Sequence, residues 1–379
     1  MQKTTEPATH GREVEQLWAD YAQKRNRRVP ITFASDEQVW TRVSGHTFKE
    51  FYLDPRVHLN TQLEGARWFA ENVVCDLPPG LPERWTVGVR NWMEENEFFG
   101  CEIVYQEDDF AWAMPLDLDR DDLLGHIADV DPEERVRSHS AFRMYEALKE
   151  LADGMTYMDR PVYVAPPLFG THGVFTKAAE IRGLEQICID TIESPEFVEE
   201  YLRIFTEKTI ERMRAWHRVV LGKEPELPSA GGYGFADDSL QMISPEMYER
   251  FVMPCHERLY SVMTTGTRSM HLCGRSSQHY ENLRRRMNVT CIDGPGPFID
   301  HAYWLEKLGP DFAFNAQVNH TTLMSGTEGE IRRMMKDLMT PGAKLPGRFQ
   351  VLGYITRDTP LRNLEICCRA GREYGVIEA

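Results

Sequence analysis

A chain of 379 residues with a hydrophobic fraction of 42% is long enough for one large domain or two ordinary ones. Its 43 basic against 59 acidic side chains leave a net charge of −16, which argues against a nucleic-acid backbone or an anionic membrane surface as main partner. No stretch approaches the roughly 18–20 uninterrupted apolar residues of a membrane span, and Met1–Arg28 is polar, without the apolar run of a signal peptide. The cysteines at 75, 101, 188, 255, 273, 291, 367 and 368 show no disulfide-framework spacing. A reducing, cytoplasmic setting is therefore expected, with thiols available as buried apolar groups or as metal ligands.

Val14, Leu17, Trp18 and Tyr21 fall near one face and predict a first helix from about Arg12 to Arg27. Asp54-Pro55 predicts the start of a second, since Asp caps a helix and Pro suits its first turn. Trp85 to Met114 mixes aromatic and β-branched residues and reads as strands and loops. Asp131-Pro132, Ser194-Pro195, Ser244-Pro245 and Thr359-Pro360 repeat the capping pattern. Between them lie short apolar runs: Val162–Val164, Ser229–Tyr233, Thr267–Cys273, Val289–Asp293, Phe312–Asn315 and Phe349–Gly353. Helical segments at Pro245–Met263, Ser276–Met287, Glu328–Met339 and Pro360–Tyr374 separate most of them. Strands alternating with helices over about 200 residues imply a parallel sheet, closed or open. No glycine-rich phosphate fingerprint follows any strand, which weakens a nucleotide-binding reading.

His271 and Cys273 end one predicted strand. Side chains alternate faces along a strand, so both point the same way and Leu272 points oppositely. In a barrel the pair would face the cavity at the carboxyl ends of the strands, and Gly274 would let the chain turn there. An imidazole beside a thiolate suits zinc, which needs at least three protein ligands. The plainer alternative is a packed cysteine beside a hydrogen-bonded histidine.

At these residues the sequence resembles the uroporphyrinogen decarboxylase-like superfamily. It is similar above all to the branch of methylcobamide:coenzyme M methyltransferases and corrinoid-dependent O-demethylases. The resembling text runs from Asp237-Asp238 through Ser244-Pro245-Glu246-Met247-Tyr248 and Phe251-Val252-Met253-Pro254 to His271-Leu272-Cys273-Gly274. It continues with Leu323-Met324-Ser325-Gly326-Thr327, Thr359-Pro360-Leu361-Arg362-Asn363 and Ala370–Gly375, covering about residues 160–379. The resemblance implies an α/β fold, a TIM (β/α)8-type barrel forming one domain over 1–379, with about 1–84 as an N-terminal helical and strand extension. It implies zinc at His271 and Cys273, a corrinoid carried by a separate protein, and a possible homodimer. A later cysteine completes that branch's zinc site, but the matching turn here reads Val351-Leu352-Gly353-Tyr354. The third ligand is therefore sought at Asp237, Asp238, Cys291 or Asp293. Asp237 and Asp238 end the preceding strand and serve equally as helix caps or as partners of His271. For Cys291 a packed thiol is the plainer alternative. The branch's Gly-Asn-x-Asp-Pro-like stretch appears as Ala316-Gln317-Val318-Asn319-His320, one charge fewer.

Around the presumed mouth, His172 in Gly170–Gly173, Tyr233, Phe298, Gln317, Asn319 and Tyr354 are candidate substrate-binding residues. Arg28–Ser35 carries no arginine cluster, so a porphyrinogen with its many carboxylates is not the expected substrate. Three readings follow. The first is a methyltransferase moving a methyl group between a small methylated substrate and a corrinoid partner, metal-assisted and O-demethylase-like. There Asp237, Asp238 or Asp293 bind the substrate or move its proton. The second is a cofactor-independent decarboxylase or lyase of the same fold, with Asp238 or Asp293 protonating a carbanion. The third is a non-catalytic binding protein.

Overall fold

Ile31 and Phe33 are buried while Thr32 and Ala34 between them are less so, the alternation of a strand with one face on a core. In the computed structural model, which describes residues 7–378, this strand opens a TIM (β/α)8 barrel. Its eight strands are β1 (Ile31–Ser35), β2 (Trp85–Val87), β3 (Arg160–Val164), β4 (Tyr233–Ala236), β5 (Arg268–His271), β6 (Val289–Asp293), β7 (Ala313–Gln317) and β8 (Phe349–Ile355). β4 to β8 and β1 pair in parallel as one continuous sheet, and β2 pairs with β3. Side chains rather than backbone ladders join the two pieces. Between β1 and β2, Arg90 Nε donates to Glu37 at 2.8 Å. Between β3 and β4, the amides of Phe175 and Thr176 donate to Asp237 at 3.0 and 2.8 Å.

The helices Pro55–Asn72, Pro195–Leu221, Met253–Met263, Tyr280–Met287, His301–Leu308, Glu328–Leu338 and Leu361–Tyr374 surround the strands. Outward residues such as Met270, Ile292, Phe314 and Val351 are buried under them. Asp54, Asp131 and Ser244 cap as their sequence predicts. Ser194 precedes its helix without a side-chain cap, and Thr359 bonds to Thr356 while the helix starts at Leu361. The helix expected over Pro245–Met263 is broken by a π turn at Tyr248–Val252. Pro254 has no N–H to return to the carbonyl four residues earlier, which loosens the turn before it.

Four expectations need correction. The stretch read as an extension supplies β1, whose Ile31 sits opposite Val351 and Ala34 opposite Tyr354. The first helix spans Pro7–Ala22, and a short helix, Glu94–Phe98, stands inside the region read as strands and loops. β4 lies further along than Ser229–Tyr233, because Gly231 and Gly232 leave only an isolated bridge at Ser229. All eight cysteines are free. Among the described residues no helix is long and apolar enough to cross a membrane.

Candidate active site

The strand register builds the site. Ala236 lies opposite His271, His271 opposite Asp293, and Asp293 opposite Asn315, so four neighbouring strands deliver these residues at one level near their carboxyl ends. His271 Nε2 is 3.0 Å from Cys273 Sγ and 3.9 Å from Asp238 Oδ1. Donor atoms of Asp238, His271 and Cys273 all lie within 4.8 Å of one another. Ligands of a tetrahedral zinc stand about 3.5 Å apart, so this donor set fits such an ion with small side-chain adjustments. Asp238 Oδ1 also accepts the Cys273 amide at 2.7 Å, which ties the loop after β4 to the loop after β5.

Asp293 takes the other side of the imidazole. Its Oδ2 is 2.9 Å from His271 Nδ1, and its Oδ1 accepts from Asn315 Nδ2 at 2.7 Å. That pairing fixes the ring and aims Nε2 at Cys273 and Asp238, the arrangement common behind metal-bound histidines. Burial disfavours the imidazolium, but the bonds to Asp293 and Cys273 and the charges of Cys273 and Asp238 outweigh it and hold His271 up at about 10. Gly294 follows with φ +96°, and a Cβ there would lie 2.7 Å from His271 Cε1, so the backbone closes directly over the ring.

The other candidates separate. Asp237 is fully buried and faces outward, accepting from Phe175 N, Thr176 N, Thr176 Oγ1 and His256 Nε2. It ties β4 to two helices and is neither ligand nor catalytic group, because alternation turns it away from the cavity when Asp238 faces in. Cys291 lies two residues down β6, opposite Ser269, outside the donor trio. Burial, then the charge of Asp293, pushes its thiol up to about 11. Tyr233 packs outward, its hydroxyl on Met213 and its ring against Phe235 and Tyr260. Asn319 caps the helix His320–Ser325 through the Thr322 amide and lines a different cleft, beside Glu330 and Arg333.

Gln317 and Leu352 are opposite each other on β7 and β8, with Tyr354 one level higher. Leu352 thus stands at the cavity with no sulfur to offer. Phe298 is exposed on the loop after β6, with the Arg275 guanidinium 5.7 Å from its ring. His172 borders a cleft of about 520 Å³ with Trp40, Arg90 and Trp92. Its amide donates to Glu95 at 2.7 Å, and Glu95 pairs with the buried Arg212 at 2.9 Å. Burial raises the Glu95 carboxyl, yet Arg212, His172 and Lys177 together bring it down to about 2. Sequence reasoning missed Asp36, Glu37, Arg90 and Asn315. Asn315 alone had a local signal, alternating with Gln317 on β7.

A protein-family model described as uroporphyrinogen decarboxylase (URO-D) matches residues 95–374. A methylated-thiol–coenzyme M methyltransferase of Methanosarcina mazei is 24% identical over 328 residues, covering 84% of this chain and 79% of that protein. A solved structure described as a methyltransferase from Methanosarcina mazei superposes with a TM-score of 0.62 at 17% identity, covering 95% of this chain and 98% of the other. At that identity the superposition speaks for the barrel alone. With the family match spanning well over half its length, the chain belongs to the uroporphyrinogen decarboxylase (URO-D) family.

Proposed function

We propose that this protein is a methyltransferase, moving a methyl group between a small methylated compound and a corrinoid held by a separate protein, in the manner of an O-demethylase. The observation that carries the reading is the convergence of Asp238, His271 and Cys273 at the strand ends. These three would hold zinc, with Asp238 in the role that a cysteine at the Leu352 position would otherwise fill. Zinc there would supply Lewis acidity toward the heteroatom bearing the methyl group.

The chain's own residues do the positioning. Asp293 and Asn315 fix the tautomer and plane of His271. Leu352 and Tyr354 border the cavity from β8. The mouth, edged by Arg275 and Phe298, leaves an approach for a partner from outside the barrel. The relative named for methyl transfer to coenzyme M supports this class of chemistry.

A lyase reading asks Asp238 or Asp293 to donate a proton. Both instead accept hydrogen bonds from fixed donors, Asp238 from the Cys273 amide and Asp293 from Asn315, so these oxygens already serve to hold the site together. Elemental analysis of protein purified without chelators tests the proposal. One equivalent of zinc is expected, lost in a His271→Ala, Cys273→Ala double variant. Metal-free protein that still turns over a methyl donor, or turnover with no corrinoid protein present, would sink it.

A further inference from the structure

Past the carboxyl ends of β1, β2 and β3, the cleft lined by Trp40, Gln62, Arg90, Asn91, Trp92 and His172 is built around a single arginine. Arg90 Nε donates to Glu37 Oε1 at 2.8 Å, and Glu37 is fully buried. The second Glu37 oxygen accepts from Trp92 Nε1 at 3.3 Å. The guanidinium carbon sits 5.6 Å from the Trp40 ring and 5.1 Å from the Trp92 ring. Its terminal Nη groups have no hydrogen-bond partner among the described residues. One edge of the guanidinium is thus fixed by a buried carboxylate and its faces by two indoles, while the forked edge is left to donate. Most of the ordering cost of an arginine is met before any ligand arrives.

Tyr354 links this arginine to the donor trio. It lies on β8 opposite Ala34 of β1, the strand that leads into Glu37, and β8 stands between β1 and the strands β7 to β5 that carry Asn315, Asp293 and His271. We propose that the cleft is a subsite for one anionic group of the substrate, a carboxylate or sulfonate held bidentately by Arg90, while the methyl-bearing end reaches His271 and Cys273. Planar guanidinium forks match such oxyanions with two parallel hydrogen bonds. Only one such group fits the charge pattern, because Asp36, Glu37, Asp238 and Asp293 repel a second. The Trp40, Trp92 and His172 rings, the last two 5.4 Å apart, favour a flat ring between the two ends.

The identity of the reacting end rests on the methyl-transfer reading; the subsite does not. Purified protein is titrated with para-methoxybenzoate, with its neutral methyl ester, and with methylthioethanesulfonate, following tryptophan fluorescence and calorimetric heat. An anion should bind at least about tenfold more tightly than the ester, the expected worth of charge-assisted hydrogen bonds. A Glu37→Gln, Arg90→Met double variant, which leaves no orphaned buried carboxylate, should lose that advantage and bind the ester as before. Arg90→Lys should fall between. Preference for the benzoate assigns an aromatic acid, and preference for the sulfonate an aliphatic one. Binding of neither anion, or acid and ester binding alike to the native protein, overturns the subsite even if the double variant does not fold. The titration needs neither zinc nor turnover, so its failure leaves methyl transfer standing, and loss of methyl transfer leaves the subsite standing.

Discussion

Two adjacent aspartates should give opposite phenotypes. Asp237 accepts four hydrogen bonds in a site sealed from solvent. Three come from the first turn of the helix Val174–Arg182, two of them backbone amides, and its N-cap, Gly173, has no side chain to cap with. Asp237 therefore caps that helix from another strand, and it holds His256, which in turn is 3.2 Å from the Tyr248 hydroxyl. Asp237→Ala strands two buried amides and an imidazole at about 1–3 kcal/mol for each unsatisfied group, so a loss of about 3–5 kcal/mol is expected. Asp238 is 41% exposed at its side chain and accepts one protein hydrogen bond, from the Cys273 amide. Asp238→Ala should cost about 1 kcal/mol or less. Urea unfolding followed by tryptophan fluorescence measures both, and zinc content is measured on the folded samples. Asp237→Ala should shift the unfolding midpoint strongly, and Asp238→Ala should lose metal at nearly native stability. Equal stability losses, or zinc retained in Asp238→Ala, would refute the division of labour.

Two further outcomes follow. Asp293→Asn should keep the fold and weaken zinc binding by about 10–100-fold, because the amide supports His271 less well than a carboxylate; competition with a chelating dye reads this, and unchanged affinity would remove Asp293 from its role. Burial first, then the charge of Glu37, lifts the Asp36 carboxyl to about 6, with the Gln38 amide and Arg90 opposing. An acid whose folded value lies above its unfolded one keeps its proton longer in the folded state, so it subtracts stability as pH rises from about 4 to 6. Asp36→Asn preserves the cap on Gln38 and should stabilise by about 1–3 kcal/mol at pH 7.5, a gain that fades toward pH 4. A gain equal at both pH values would contradict that cause.

How much of the site could be read from the sequence depends on where strand phase was available. β6 is predicted with its observed bounds, so Cys291 and Asp293 fall on the inner face as expected. His271 and Cys273 likewise keep their shared face. At β4 the apolar run ended too early, and with the strand displaced the alternation could not tell Asp237 from Asp238 or turn Tyr233 outward. Once Ala236 is placed opposite His271, both assignments follow. β1 was overlooked because five residues preceded by Pro30 make a weak local signal, and their partner strand lies far along the chain. Thr32 reaches the Val351 carbonyl across 319 positions. The Arg90–Glu37 pair spans 53 positions and obeys no local period.

The residues that local pattern could order are therefore those on β5 and β6, where neighbouring strands run in register and place His271 opposite Asp293. Asn315 extends that row onto β7 by the same rule. The trio and its support are consequences of parallel pairing: inner-face polar residues on consecutive strands must meet at one height. Arg90 follows a different logic. It lies where the backbone ladder is interrupted, and Glu37 and the two tryptophans replace the missing hydrogen bonds between β1 and β2. A seam closed by side chains leaves a guanidinium edge facing the cavity, which a continuous ladder would not. The same interruption that weakens the sheet there gives the protein a place for a charged substrate group.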